Sequence, residues 1–108
     1  MSAPPDLGKL LEKAREAQIK LQALQRELAR RSVEGSAGGG MVTAVASGEL
    51  RILEIRIEPG LLQSGDLAML QDLTAAAVNA ALANAQRMIQ EEMQRASAGL
   101  GLPFGGQV

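Results

Sequence analysis

The chain of 108 residues has no cysteine, no histidine, no tryptophan, no tyrosine and a single phenylalanine. Each absence removes a class of chemistry. Without cysteine there is no disulfide framework and no thiolate nucleophile. Without cysteine and histidine there is no zinc site of the usual donor set and no imidazole general base. The missing cysteines also fit a cytoplasmic protein. With aromatics at 1% of residues, a core must be assembled from Leu, Ile, Val, Met and Ala. Small side chains let elements approach closely, but each buries little area. No apolar run approaches the roughly 20 residues of a membrane span. The stretch Met1-Ser2-Ala3-Pro4-Pro5-Asp6 has no basic region leading into an apolar one, so no signal peptide is expected.

What is present is globular in character. Apolar residues make up 46% of the chain, enough for a core. One domain is expected at this length. A monomer of this size buries only roughly two-thirds of its unfolded surface, and dimerisation is a common supplement. The formal net charge is −1, but its distribution is uneven. Asp6 to Arg31 holds seven basic and four acidic residues, a net of +3. The remainder holds four basic and eight acidic, a net of −4. Positive charge is concentrated on one element.

That element reads as a helix over residues 6–31, about 39 Å long, with Asp6 as its cap after two prolines. Leu7, Leu10, Ala14, Ala17, Leu21, Leu24 and Leu28 repeat at alternating spacings of three and four, an apolar stripe about three heptads long. Leu11 widens the stripe and Ile19 lies off it. So thin a helix cannot bury the stripe against itself, which predicts a partner helix from this chain or from a second copy. Ser32 to Gly35 is a short strand candidate. Gly38-Gly39-Gly40 follows, where a helix is costly. Met41 to Ser47 and Leu50 to Glu58 read as strands of an antiparallel hairpin about the turn Ser47-Gly48-Glu49. In the second, Leu53, Ile55 and Ile57 alternate with Glu54, Arg56 and Glu58, giving one buried face and one wet face. Pro59 and Gly60 end it. A second long helix is expected from Asp66 to Ala98, with Leu67, Leu70, Leu73, Ala77, Ala80 and Ala81 on one side and Gly99 as a left-handed C-terminal stop. The fold class is thus α+β. Residues 1–5 and the Gly-rich tail 99–108 are expected to be flexible around a structured unit at 6–98.

Few of these features suggest chemistry. The glycines at 38–40 lack a following Gly-Lys-Ser/Thr and enter a strand, so they read as a turn rather than a phosphate loop. Glu54 and Glu58 share a strand face, with Glu34 expected near it, and no nucleophile or pocket loop accompanies them, which reads as a wet face. Asn79, inside the alanine run, either hydrogen-bonds across a packed surface, as a buried Asn fixes register in coiled coils, or simply faces solvent. On the first helix, Lys9, Lys13, Lys20, Arg26, Arg30 and Arg31 either neutralise phosphates or form a solvated face of mixed charge, with Glu12 and Glu16 in reach of Lys13, Arg15 and Lys20. Arg15 is the weakest of these cations as a candidate. Arg87 and Arg95 extend a basic surface or sit exposed beside Glu91 and Glu92. No catalytic residue, metal site, cofactor loop or small-molecule substrate site is expected.

The order of parts resembles the YbaB/EbfC family of small bacterial nucleoid-associated proteins over nearly the whole chain. Leu7-Gly8-Lys9-Leu10 resembles the start of that family's first helix. Gly35, Gly38 to Gly40 and Met41-Val42 resemble its glycine-broken strand entry. Ile55-Arg56-Ile57-Glu58-Pro59 with Leu61-Leu62 is similar to its apolar-x-Ile-Asp-Pro-x-Leu-Leu segment, with Glu58 where the family often has Asp. Met69-Leu70-Gln71-Asp72-Leu73 followed by Ala75 to Ala80 is the most specific match, and Glu91-Glu92-Met93 and Gly99-Leu100-Gly101-Leu102-Pro103 complete it. The resemblance implies a tweezer-like homodimer that binds double-stranded DNA with weak sequence preference in the bacterial cytoplasm, associated with the nucleoid, and has no enzymatic activity. The expected contacts are Lys9, Lys13, Lys20, Arg26, Arg30 and Arg31 for DNA. Leu21, Leu24, Leu28, Leu53, Ile55, Ile57, Leu70, Leu73, Ala77 and Asn79 are the expected core and dimer contacts. The competing reading is a structural adaptor, a dimer whose apolar stripe recruits a protein partner and whose charges serve solubility.

Overall fold

The computed structural model describes residues 6–100, so of the segments expected to be flexible, 1–5 and 99–108, residues 1–5 and 101–108, with the Gly101-Leu102-Pro103 match, lie outside the described residues. Six elements follow one another: α1 (Leu7–Arg30), β1 (Ser32–Ala37), β2 (Val42–Ser47), β3 (Ile52–Ile57), α2 (Pro59–Gln63) and α3 (Leu67–Leu100). Asp6 caps α1 by accepting a hydrogen bond from the backbone N–H of Lys9 at 3.3 Å. Asp66 does the same for α3, accepting from Met69 at 2.9 Å. Pro59 opens the short α2 near its first turn, where a missing N–H leaves no bond unmade. This helix is additional to the elements expected from sequence.

The three strands form one antiparallel sheet in the order β1-β2-β3. Ala37 pairs with Val42 across the β1–β2 loop. Gly38, Gly39 and Gly40 fill that loop at φ values of 64°, 66° and 96°, a left-handed run that only glycine adopts cheaply. Between β2 and β3 the pairing slips. Val45 faces Glu54, but Ala46 faces Ile52. The bulge corrects the simple alternation read from sequence. Ile52, rather than Leu53, joins Ile55 and Ile57 on the helix-facing side, and Leu53 is pushed out to 59% exposure.

Helix α3 lies across β1 and β2 on that side. Ala77, Ala81 and Ala85, at intervals of four, are fully buried against Val42, Ala44 and Ala46. Their closeness comes from Gly35, where a Cβ atom would stand 2.1 Å from the backbone nitrogen of Ala81. Leu61 of α2 closes one end of this cluster, and Val33, Ile52, Ile57, Leu70 and Leu73 line its margin. Strand β3 lies at the sheet edge, so Ile55 remains 41% exposed. Asn79 is exposed. The asparagine that reaches across is Asn84, whose side-chain N–H donates to the carbonyl of Glu34 at 2.8 Å. Gly99 continues α3 to Leu100 without a positive φ, so it is not the left-handed stop expected of it.

Helix α1 leaves this unit as an arm. Only Leu28 is buried along it, where the helix end meets the β2–β3 turn. Leu7, Leu10, Leu11 and Ile19 stand exposed. The molecule measures 80 × 28 × 16 Å with a radius of gyration of 21.0 Å, against about 13 Å for a compact chain of this length.

Candidate nucleic-acid interface

The cations on α1 fall into rows that follow from helical geometry. Lys9, Lys13 and Lys20 are separated by four and then seven residues, close to whole turns, and so line one flank of the leucine stripe over about 16 Å. Arg15, Arg26 and Arg30 line the back of the helix, opposite the stripe, over a slightly longer span. All six are exposed, and among the described residues none of them forms an ion pair. Arg15 therefore has a freer charge than its position between Glu12 and Glu16 suggests.

Arg31 differs. Its guanidinium bonds Glu27 at 3.2 Å and Glu92 of α3 at 3.2 Å. The hydrogen bond to Glu92, then its charge, holds Arg31 above its ordinary pKa. Glu92 also accepts from Arg95. The Glu27–Arg31–Glu92–Arg95 chain fastens the root of the arm to α3 and occupies two cations that sequence alone leaves free. Arg87 donates to Asn84 at 3.3 Å.

The wet face of the sheet is also neutralised internally. Arg56 bonds Glu34 of β1 at 2.7 Å and its neighbour Glu54 at 3.1 Å, passing over Val45, which pairs with both carboxylate-bearing residues. Its pKa is raised, first by the hydrogen bond to Glu34. The alternation of Glu54 and Arg56, with Glu34 near that face, was visible in sequence, but the pairing of Glu34 with Arg56 follows only from the β1–β2 register. Glu58 precedes α2 as its cap residue and takes no part.

Of the expected apolar contacts, Leu28 and Ala77 are buried, and Leu21, Leu24, Ile57, Leu70 and Leu73 are half-buried. Leu53, Ile55 and Asn79 are exposed in the single chain. An open groove of about 700 Å³ separates the arm from α3, lined by Gln25, Leu28, Ala29, Gly48, Ile89 and Met93 among others. Among the described residues no group of three or more acidic side chains is placed to hold a metal ion, and no helix is long and apolar enough to cross a membrane.

A two-layer unit of one helix on a three-stranded antiparallel sheet, preceded by a long cationic arm, defines the class structurally. It superposes on the crystal structure of an uncharacterised protein from Helicobacter pylori with a TM-score of 0.66, at 19% identity, over 88% of this chain and 97% of the other. The sequence profile of the YbaB/EbfC DNA-binding family matches residues 3–100, and the chain belongs to that family. It is 40% identical over 98 residues to a nucleoid-associated protein of Thermoanaerobacter pseudethanolicus, covering 91% of this chain and 88% of that one. It is also 40% identical over 111 residues to a nucleoid-associated protein of Chlorobaculum tepidum, covering 97% and 98%.

Proposed function

We propose that this protein binds double-stranded DNA as a homodimer, through phosphate contacts with weak sequence preference, as a nucleoid-associated protein of the bacterial cytoplasm that contributes to nucleoid organisation and to gene regulation. The observation that carries the reading is the set of six unpaired cations on α1, on an arm that stands clear of the sheet. Neutralised phosphates release condensed counterions, and each contact adds to the salt dependence of binding. Among the described residues no helix-turn-helix element presents a recognition helix to base edges, so affinity comes from the backbone and from DNA shape.

The homodimer rests on apolar surface left open. The fully buried core is built of alanines and one valine, which bury little area each, while the α1 stripe and β3 face outward. A second copy covers both. The same stripe favours the adaptor reading, in which a different protein covers it. A salt titration of binding to a short duplex separates the two. DNA binding gives a linear fall of log affinity with log salt, with a slope of several units. The adaptor reading gives no complex at low salt with protein at tens of micromolar. Light scattering at micromolar concentration is expected to return twice the chain mass.

A further inference from the structure

The turn joining β2 to β3 holds the one non-glycine residue of positive φ among the described residues, Leu50 at 62°. The loop has three residues, with Leu50 donating its N–H to Ser47 at 2.9 Å and Ser47 donating to Arg51 at 2.9 Å. Its last position is left-handed, where glycine or asparagine sits without strain and a branched leucine does not. Leu50 is nonetheless 43% exposed, so no close-packed niche explains its retention. The turn is also rigid. Glu49 donates its N–H to the hydroxyl of buried Ser47 at 3.2 Å, and Gly48 donates to the carbonyl of Arg31 at 3.1 Å. A Cβ at Gly48 would lie 1.9 Å from the Leu28 carbonyl oxygen. The turn is thus clamped to the root of the arm. Arg26 lines the same groove as Gly48 and Glu49, Arg30 precedes the Arg31 carbonyl that clamps the turn, and Arg51 follows Leu50; none of these three has an ion-pair partner among the described residues. Glu49 lines the groove with Arg26, Ile89 and Met93.

We propose that Leu50 is a DNA-bending wedge, entering the minor groove at a base step while Arg26, Arg30 and Arg51 hold the flanking phosphates. The proposal rests on the DNA-binding reading and goes beyond it, because phosphate contacts require no side chain inserted at a base step. One rigid apolar side chain amid cations suits a base step, which a single inserted residue unstacks.

The test compares the wild-type protein with Leu50→Asn and Leu50→Met on a duplex of about 30 base pairs carrying flexible TA and CA steps, end-labelled for energy transfer, at low salt. Wild type is expected to bring the ends together, and Leu50→Met to do the same. Leu50→Asn is expected to keep the salt slope but to lose the bend and roughly tenfold in affinity, as one lost groove contact implies. Asparagine relaxes the left-handed strain, so this variant is expected to melt at or above the wild-type temperature with unchanged oligomer mass. Equal bending by wild type and Leu50→Asn overturns the wedge while leaving DNA binding intact. Absence of any wild-type complex overturns both. A lowered melting temperature or altered mass for Leu50→Asn assigns Leu50 to packing and overturns the wedge.

Discussion

At the scale of single residues, two contacts set the geometry of this protein, and each has a distinct cost when broken. Gly35 lets α3 rest on the backbone of β1. A methyl group there would stand 2.1 Å from the Ala81 nitrogen and 2.7 Å from its Cα, and no flexible side chain is available to yield. Gly35→Ala is expected to destabilise the fold by about 3 kcal/mol or more, at the upper end of overpacking effects, read as a fall in the urea midpoint. The hydrogen bond from Asn84 to the Glu34 carbonyl is worth about 1 kcal/mol. Asn84→Ala is expected to lower stability by that amount in the same denaturation experiment, with a larger loss than substitution of exposed Gln86. Asn84 was not legible as a contact in sequence. Its partner is a backbone carbonyl fifty residues away, and nothing local distinguishes it from Asn79.

At the scale of elements, α1 is an arm whose charge is partly spent at its root. Glu92 binds Arg31 and Arg95, so a substitution that removes its charge frees Arg95 and leaves Arg31 held by Glu27 alone. Glu92→Gln is expected to tighten DNA binding and to steepen the log–log salt slope by about one, measured by titration against salt. Charge reversal of Lys13, Lys20 and Arg26 together acts in the opposite direction. It is expected to flatten the slope by about three and to weaken binding to all sequences alike. The long periodic stripe made α1 legible as a helix from its first turn to its last. The partition of its cations into paired and free was not legible, because Glu92 lies on another helix.

At the scale of the whole molecule, the chain is extended and its fully buried core is thin. The lack of histidine has a whole-molecule consequence as well, since histidine is the side chain that ordinarily changes charge near neutral pH. The two resolved pKa changes are upward shifts of Arg31 and Arg56, caused first by hydrogen bonds to Glu92 and Glu34. Groups of raised pKa add stability that is present below the unfolded value and lost only as pH rises through the folded one. For arginine that window lies far into alkali. DNA affinity is therefore expected to stay flat between about pH 6 and pH 8, and a several-fold change across that range would contradict the assignment of contacts to lysine and arginine.

The cationic arm with which the proposed function begins was determined by sequence alone, because a helix and its charge rows depend only on local spacing. The same holds for the glycine-filled β1–β2 loop, whose left-handed conformations only glycine adopts cheaply, and for Ala77 and Ala81 on the packed side of α3, whereas Ala85 joins that face only in the folded structure. Tertiary structure decided what depends on register and contact between distant segments. It slipped the β3 alternation by a bulge, so that Ile52 replaced Leu53 on the helix-facing side. It brought Glu34 to Arg56 and Glu92 to Arg31, and so determined which cations remain free. It also placed Leu50, left-handed and exposed, at the corner where the arm begins, because a turn's position in space follows from the strands and helix to which it is bonded.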